Sequence, residues 1–358
     1  MQGKRDDMIV HEQEPYNAEP PRSALAEAPL TPTRTFYSRN HGPVPEIPPE
    51  SWRLRIEGLV EHPLELSLAD LQADYPSVSL VATLQCAGNR RQGLIDVRDI
   101  PGEDPWGPAA TSTAEWTGVR LADVLTAAGL QDEAAHVAFD APDVSPLAEP
   151  PQGYGSSIPL FKAMGAEVLL AWSMNGEPLT AAHGAPVRVV VPGYIGARSV
   201  KWIERITVQL HPSANYFQET AYRLLPPDGE PGPGVGVELG AIALNSEILV
   251  PDDGERLPAG PAVISGYALA GDDRRIARVD VSVDGGRTWQ QAELADELSV
   301  WAWRFWSLHA DLPAGDVEIV ARAWDSSAAL QPERAESVWN PKGYVNNSWP
   351  RVRVTVRS

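Results

Sequence analysis

Thr83-Leu-Gln-Cys-Ala-Gly-Asn-Arg-Arg91 contains the one cysteine of a 358-residue chain. The apolar run at 79–84 reads as a short strand and Ala87-Gly88 reads as a turn, so Cys86 is expected where a strand ends. Arg90 and Arg91 follow it closely. Positive charge near a thiol lowers its pKa and favours the thiolate, which acts as a nucleophile or a soft metal ligand. A buried structural thiol is the competing reading, because free cysteine is among the most buried residue types. The chain has 7 His, and spacing assigns none of them to Cys86 as a catalytic base. A single cysteine excludes intrachain disulfides, zinc ribbons, ferredoxin-type clusters and thioredoxin-like motifs. A metal at Cys86 would therefore need a cofactor that brings its own ligands.

Outward from this segment the pattern is mixed. Residues 52–58 alternate like a strand, and Ser67-Leu-Ala-Asp70 reads as a helix start. A helix is expected over 120–129, stopped by Gly129. The short β-branched runs 168–172 and 187–191 read as buried strands, and 202–209 alternates again. Strands and short helices mixed over about 52–210 indicate an α+β domain. Leu225-Pro-Pro-Asp-Gly-Glu-Pro-Gly-Pro-Gly234 is a breaker-rich linker. Beyond it, 262–268, 276–283, 301–307, 317–324 and 352–356 all read as strands, with Asp284-Gly285-Gly286 as a hairpin turn. Evenly spaced strands over 235–358 predict an immunoglobulin-like sandwich. Alternation puts Trp301, Trp303 and Phe305 on one strand face, as sandwich core or as a subunit interface. A length of 358 residues agrees with two domains, and 34 prolines argue against long uninterrupted helices.

Lys+Arg number 29 against 48 Asp+Glu, a net charge of −19. This balance excludes a general nucleic-acid binder, which needs surplus Lys and Arg. Basic residues nevertheless cluster locally: Arg34 and Arg39 in 33–41, Arg90 and Arg91, then Arg188, Arg198, Lys201 and Arg205 in 183–205. Such separate clusters can assemble an anion site, although ordinary surface charge balance gives the same pattern. Residues 1–35 read as an acidic, Pro- and Ala-rich arm, disordered or lying on the surface. The first 30 residues have no apolar core of a signal peptide, and no apolar run of 18 residues occurs, so no membrane span is expected. The chain as written is expected to be cytoplasmic, or periplasmic where a leader has been removed.

Six segments in order carry a resemblance. Thr83–Arg91 resembles the molybdenum-binding segment of the sulfite oxidase family. Tyr37-Ser-Arg-Asn-His-Gly-Pro-Val-Pro45, Trp116-Thr-Gly-Val-Arg-Leu-Ala-Asp-Val-Leu125, Tyr154-Gly-Ser-Ser-Ile-Pro159, the stretch His183 to Trp202, and Trp339-Asn-Pro-Lys-Gly-Tyr-Val-Asn-Asn347 are similar to further segments of that family. The likeness spans about residue 36 to the end. With residues 1–35 read as an N-terminal arm, it implies a molybdenum cofactor-binding catalytic domain at 36–224. A linker at 225–234 and an immunoglobulin-like dimerisation domain at 235–358 follow, in a homodimer.

The resemblance also implies the cofactor, molybdenum held by a pyranopterin dithiolene (molybdopterin) with one protein thiolate, here Cys86. The hard chemistry then belongs to the cofactor, and the protein supplies placement and electrostatics. Tyr37, Ser38, Arg39, Asn40, His41, Asp143, His183, Arg188, Ser199, Val200 and Lys201 match cofactor-binding positions. Arg39, Arg91, Trp106 and Tyr222 match the pocket for sulfite, a small oxyanion suited to guanidinium forks. Lys342 stands where animal members place a third pocket arginine, Pro101 where they place a lysine, and Ala221 where they place an acid. The implied activity is oxidation of sulfite to sulfate. Alternatives are a related nitrate or sulfoxide reductase, or a non-catalytic immunoglobulin-like binding protein with a vestigial site. No haem is expected in this chain, so electrons would leave to an external acceptor, cytochrome c or dioxygen.

Overall fold

The strand and helix signals around Cys86 build two sheets that share one core. The computed structural model describes residues 3–357. Strand Ser77–Gln85 lies at the edge of an antiparallel sheet, beside Thr111–Arg120, then Leu169–Met174, which also pairs with Glu177–Pro178 and Arg188–Val190. A second five-stranded sheet runs Leu64–Leu66, Leu54–Gly58, Arg205–Gln209, His136–Ser145, Gln152–Pro159. In Leu54–Gly58 the alternation works as expected: Leu54 and Ile56 point inward and Arg55 outward. These join Val137, Phe139, Ile206 and Val208 of the same sheet, and Val119, Leu170 and Val189 of the other, in one buried cluster. Helix Leu121–Ala128 adds Leu121, Val124 and Leu125 to that cluster and stops at Gly129, where φ is +70°. Helix Leu68–Asp74 starts with a capping box between Ser67 and Asp70.

The arm is docked, and the disordered alternative for it does not hold over residues 3–35. Ile9–Glu12 pairs with Asn17–Glu19, and Ala18 bridges to Ser38. The Glu19 carboxylate, 1 % exposed, accepts from the backbone N–H of Gly107 at 2.5 Å and of Ala109 at 2.9 Å. His11 Nε2 lies 2.9 Å from the same carboxylate. Composition alone cannot show such docking, because it depends on two backbone donors about 90 residues away in sequence that would otherwise be buried and unpaired. Glu19→Ala is expected to cost about 2–4 kcal/mol in urea unfolding, because it orphans both donors. It should also expose the arm to proteolysis.

Arg223–Leu224 pairs with Val237–Glu238, so the breaker-rich segment between them closes as a loop. The C-terminal region then forms two facing sheets. One runs Asn245–Val250, Gly260–Leu269, Arg304–Leu312, Glu293–Leu294; the other runs Arg256–Pro258, Arg351–Arg357, Gly315–Asp325, Ile276–Ser282, Gln290–Gln291. Ile248, Ile264, Val279, Val281, Trp306, Ile319 and Val352 belong to the cluster enclosed between them. The strand expected over 301–307 begins only at Arg304. Trp301 and Trp303 precede it, and Trp303 belongs to the buried cluster that the N-terminal sheets share with Leu249, Tyr267 and Leu269, not to the one enclosed between the C-terminal sheets. The Trp303 backbone N–H donates to Thr83 Oγ1 at 2.8 Å, and Thr83 N–H donates to the Trp301 carbonyl at 3.0 Å. The aromatic cluster therefore joins the C-terminal region to the strand that carries Cys86. Among the described residues no helix is long and apolar enough to cross a membrane.

Candidate cofactor cleft and anion pocket

Cys86 sits one residue beyond strand Ser77–Gln85, as expected, with its N–H donating to the Ala110 carbonyl at 2.9 Å. The chain then turns tightly. Asn89 N–H returns to the Cys86 carbonyl at 3.0 Å, Gly88 N–H donates to Cys86 Sγ at 3.4 Å, and Arg90 adopts a left-handed φ of +65° before the helix Arg91–Ile95. The C-terminal signature segment braces this turn. Val345 N–H donates to the Ala87 carbonyl at 2.8 Å, and Asn346 Nδ2 donates to the Arg90 carbonyl at 2.8 Å.

The two neighbouring arginines do not act alike. Arg90 turns away, pairing with the buried Glu247 at 3.1 Å. Arg91 and Arg39 face the thiol, but burial outweighs them and pushes the Cys86 thiol up. The expectation of a thiolate favoured by Arg90 and Arg91 is thus corrected, because desolvation exceeds their attraction. A bound metal ion would reverse this balance, since a coordinating thiol is deprotonated outright.

Two of the cavities that Cys86 lines adjoin each other. The first, a cleft with about 660 Å³ of empty space including its mouth, is lined by Tyr37, Ser38, Arg39, Asn40, His41, Cys86, Asp143, His183, Arg188, Ser199, Lys201 and Tyr222, with Tyr154 among its other walls. Val200 is absent from the lining. Its side chain is core, while its carbonyl accepts from Val189 N–H at 2.8 Å and so sets the backbone between Ser199 and Lys201.

One end of the cleft is cationic. Arg188 is clamped by the carbonyls of His183 (3.1 Å) and Ser199 (2.9 Å), and burial brings its pKa down to about 10. Lys201 donates to Asn40 Oδ1, to the Arg39 carbonyl at 3.2 Å and to that of Ala182 at 3.1 Å, with its pKa driven well down by burial. Lys4, from the arm, stands behind His183, 2.8 Å from its Nε2, and burial lowers its pKa to about 7. Among the described residues none of these three has a carboxylate within 4.0 Å. Buried basic groups with no carboxylate in ion-pair contact fit a phosphate-bearing ligand. Ser38 Oγ and Asp143 Oδ1 are buried without a hydrogen-bond partner on the same cleft, and burial pushes Asp143 up to about 7 against the pull of Lys201. These residues fit the molybdopterin reading: a phosphate end, unpartnered polar atoms for a pterin, and one thiol. Among the described residues no cluster of three or more His, Cys, Asp or Glu could hold a metal ion, so a metal at Cys86 depends on cofactor sulfur.

The second cavity adjoins the first and shares Arg39, His41, Cys86 and Tyr222 with it; Arg91 and Lys342, the acids Glu12, Glu103 and Asp104, and the rings of Tyr216, Phe217 and Tyr344 also line it. His41 Nε2 lies 2.7 Å from Tyr222 Oη, and burial lowers the His41 pKa while raising that of Tyr222. Trp106 lines neither cavity. It is fully buried with its ring centroid 4.6 Å from that of His11 in the arm, which covers it. The basic 183–205 cluster also divides: Arg188 and Lys201 face the cleft, Arg198 ties Leu239, Ser156 and Gln218 together, and Arg205 pairs with Asp140 at the surface. Sequence reasoning missed Lys4, Tyr154, Glu103 and Tyr344. The arm gave Lys4 no local signal, whereas Tyr154 and Tyr344 stood inside segments already singled out.

Known proteins agree with this arrangement. Residues 41–217 match the oxidoreductase molybdopterin binding domain, and residues 239–357 match the Mo-co oxidoreductase dimerisation domain. The chain is 44 % identical to mitochondrial sulfite oxidase of Homo sapiens, over 97 % of this chain and 65 % of that protein. It is 39 % identical to sulfite oxidase of Arabidopsis thaliana, over 96 % of this chain and 92 % of that one. It thus spans about two thirds of the length of the human relative and nearly all of the plant one. The crystal structure of the sulfane dehydrogenase SoxCD of Paracoccus pantotrophus superposes with a TM-score of 0.83 at 28 % identity, covering 97 % of this chain and 86 % of the other. With its cysteine turn, cationic cleft and both domains matched, the chain belongs to the sulfite oxidase family of molybdopterin oxidoreductases.

Proposed function

We propose that this chain, with molybdopterin-bound molybdenum in its cleft, oxidises sulfite to sulfate. The observation that carries the reading is the convergence of Arg39, Arg91, Lys342 and Tyr222 with Cys86 on one pocket beside the cationic cleft. When bound, the group supplies oxygen-atom transfer and takes up two electrons. Sulfite and water give sulfate, two protons and two electrons, so the chain must also hold an anion and release protons. Cys86 would be the protein ligand. Lys201, Arg188 and His183 would hold the phosphate end, with Tyr37, Ser38, Asn40 and Asp143 along the pterin and the backbone at Ser199–Val200 closing over it. Arg39, Arg91 and Lys342 would draw sulfite to the thiol end, where guanidinium and ammonium donors suit its oxygens. The Tyr222 hydroxyl and His41 Nε2 form a hydrogen-bonded pair that can hold a proton at the pocket wall.

In this reading the catalytic domain occupies 36–224, the loop 225–234 links it onward, and 235–358 is an immunoglobulin-like sandwich through which two copies pair. The match to a dimerisation domain supports the homodimer. With one cysteine and no Cys-x-x-Cys-His, the sequence has no attachment site for a covalent haem. Electrons then pass to an external acceptor, cytochrome c or dioxygen. The test compares sulfite with ferricyanide or cytochrome c as acceptor against nitrate and methionine sulfoxide with a reduced donor. Sulfite-dependent reduction of the acceptor is expected to exceed the other two activities by about 100-fold or more. A faster reduction of nitrate or of the sulfoxide would overturn the assignment.

A further inference from the structure

Three carboxylates, Glu12, Glu103 and Asp104, line the anion pocket, and among the described residues Glu103 is the one of them in ion-pair contact with its cations. Glu103, in the loop before Trp106, places Oε2 3.2 Å from Arg91 Nη2 and takes Lys342 Nζ on Oε1. Its side chain is 14 % exposed and lines the pocket with the residues it pairs. One carboxylate therefore engages two of the three cations that would draw in an oxyanion.

The partners differ in freedom. Arg91 is held from several sides: Nε donates to the Lys342 carbonyl at 3.0 Å, Nη1 to the Asp104 carbonyl at 2.9 Å, and its guanidinium lies 5.3 Å from the centre of the Tyr344 ring. Gly343, at φ +59°, packs against its stem so closely that a Cβ there would stand 2.5 Å from Arg91 Cγ. Arg91 thus cannot swing to a second position, while Lys342 on its flexible stem can. Among the described contacts, Nη2 is the Arg91 donor paired with a side chain of the pocket, and Glu103 covers it. An incoming oxyanion that binds both Arg91 Nη2 and Lys342 Nζ takes the place of the Glu103 carboxylate, with which it shares charge sign and acceptor oxygens.

We propose that Glu103 is a displaceable internal anion that competes with the substrate oxyanion for Arg91 and Lys342 and returns as the product oxyanion leaves. It is a specificity-determining residue, because an anion is retained only if it satisfies these cations better than a tethered carboxylate does. A pyramidal or tetrahedral dianion does so by carrying more charge and a further oxygen towards Arg39. The proposal rests on the oxyanion reading of the pocket given above.

The probe is sodium sulfate, titrated calorimetrically into the oxidised holoenzyme and into its Glu103→Gln variant, with sulfite turnover measured on both. Removing a like charge from the anion's position should tighten sulfate binding by about tenfold or more. It should also lower the KM for sulfite and strengthen inhibition by sulfate in parallel. Melting temperature with and without sulfate checks that the variant is folded; if Glu103→Gln does not fold, Glu103→Ala carries the same expectation. Unchanged or weaker sulfate binding in the folded variant, with the parent turning over sulfite, overturns the proposal and leaves the oxyanion reading standing. No sulfate binding and no sulfite turnover by either protein overturns the oxyanion reading and the proposal with it.

Discussion

Cys86→Ala is expected to lower sulfite turnover by about three orders of magnitude or more, which corresponds to about 4 kcal/mol of transition-state stabilisation. The fold should survive. Among the described residues Sγ makes one weak hydrogen bond, accepting from Gly88 N–H at 3.4 Å, while the backbone bonds that shape the turn run through the Cys86 N–H and carbonyl. Alanine keeps all of them. The pterin should still be retained in part, because Arg188, Lys201 and His183 lie on the same cleft as Cys86 and do not depend on the thiol. The signature is therefore specific: unchanged melting of the cofactor-free chain, pterin extractable from the purified variant, and no turnover. A variant that oxidises sulfite at the parent rate would show that the metal does not use this sulfur.

Arg39→Met should have the second largest effect. Arg39 lines both the cleft and the anion pocket, and it is the one cation of the pocket that Glu103 does not engage. Methionine retains a similar stem and removes the charge, so a loss of about 10²–10³-fold in kcat/KM for sulfite is expected, in the range for a lost oxyanion donor. Most of it should fall on KM if Arg39 mainly draws sulfite in, and on kcat if it acts chiefly in the transition state. Molybdenum content is measured alongside, and the prediction requires it to stay near that of the parent. An unchanged kcat/KM would remove Arg39 from the substrate pocket.

Local signals were legible where the physics is local. The strand ending at Cys86, the capping box at Ser67, the glycine stop at Gly129 and the change of texture after the proline-rich loop all depend on nearby residues, and each was recovered in place. The cleft was legible for another reason: most of its polar residues, Asp143 and Tyr222 apart, stand in the segments that resemble a known family. What sequence reading missed depends on long-range contacts. Nothing in an acidic, proline-rich arm signals that Glu19 closes two backbone donors near residue 108, or that Lys4 reaches His183. The thiolate expectation failed because it counted nearby arginines without burial, and Arg90 turned out to serve Glu247. Trp303 left its expected strand because its backbone pairs with Thr83, across 220 residues of chain. Glu103 was passed over as one more acid in a chain with 48 of them; only the folded pocket sets it between Arg91 and Lys342.

The overall charge of −19 is compatible with two adjoining sites for anions. Local arrangement sets the potential in a buried cleft, and cations there without carboxylate partners outweigh acids spread over the surface. The claim on which everything else depends is that this cleft holds molybdenum through one thiolate and a pterin. Elemental analysis of the chain purified from cells with intact cofactor synthesis tests it most directly. The account predicts about one molybdenum per chain, lost together with the pterin. A molybdenum content far below one per chain, in protein that is folded and made under those conditions, would contradict it.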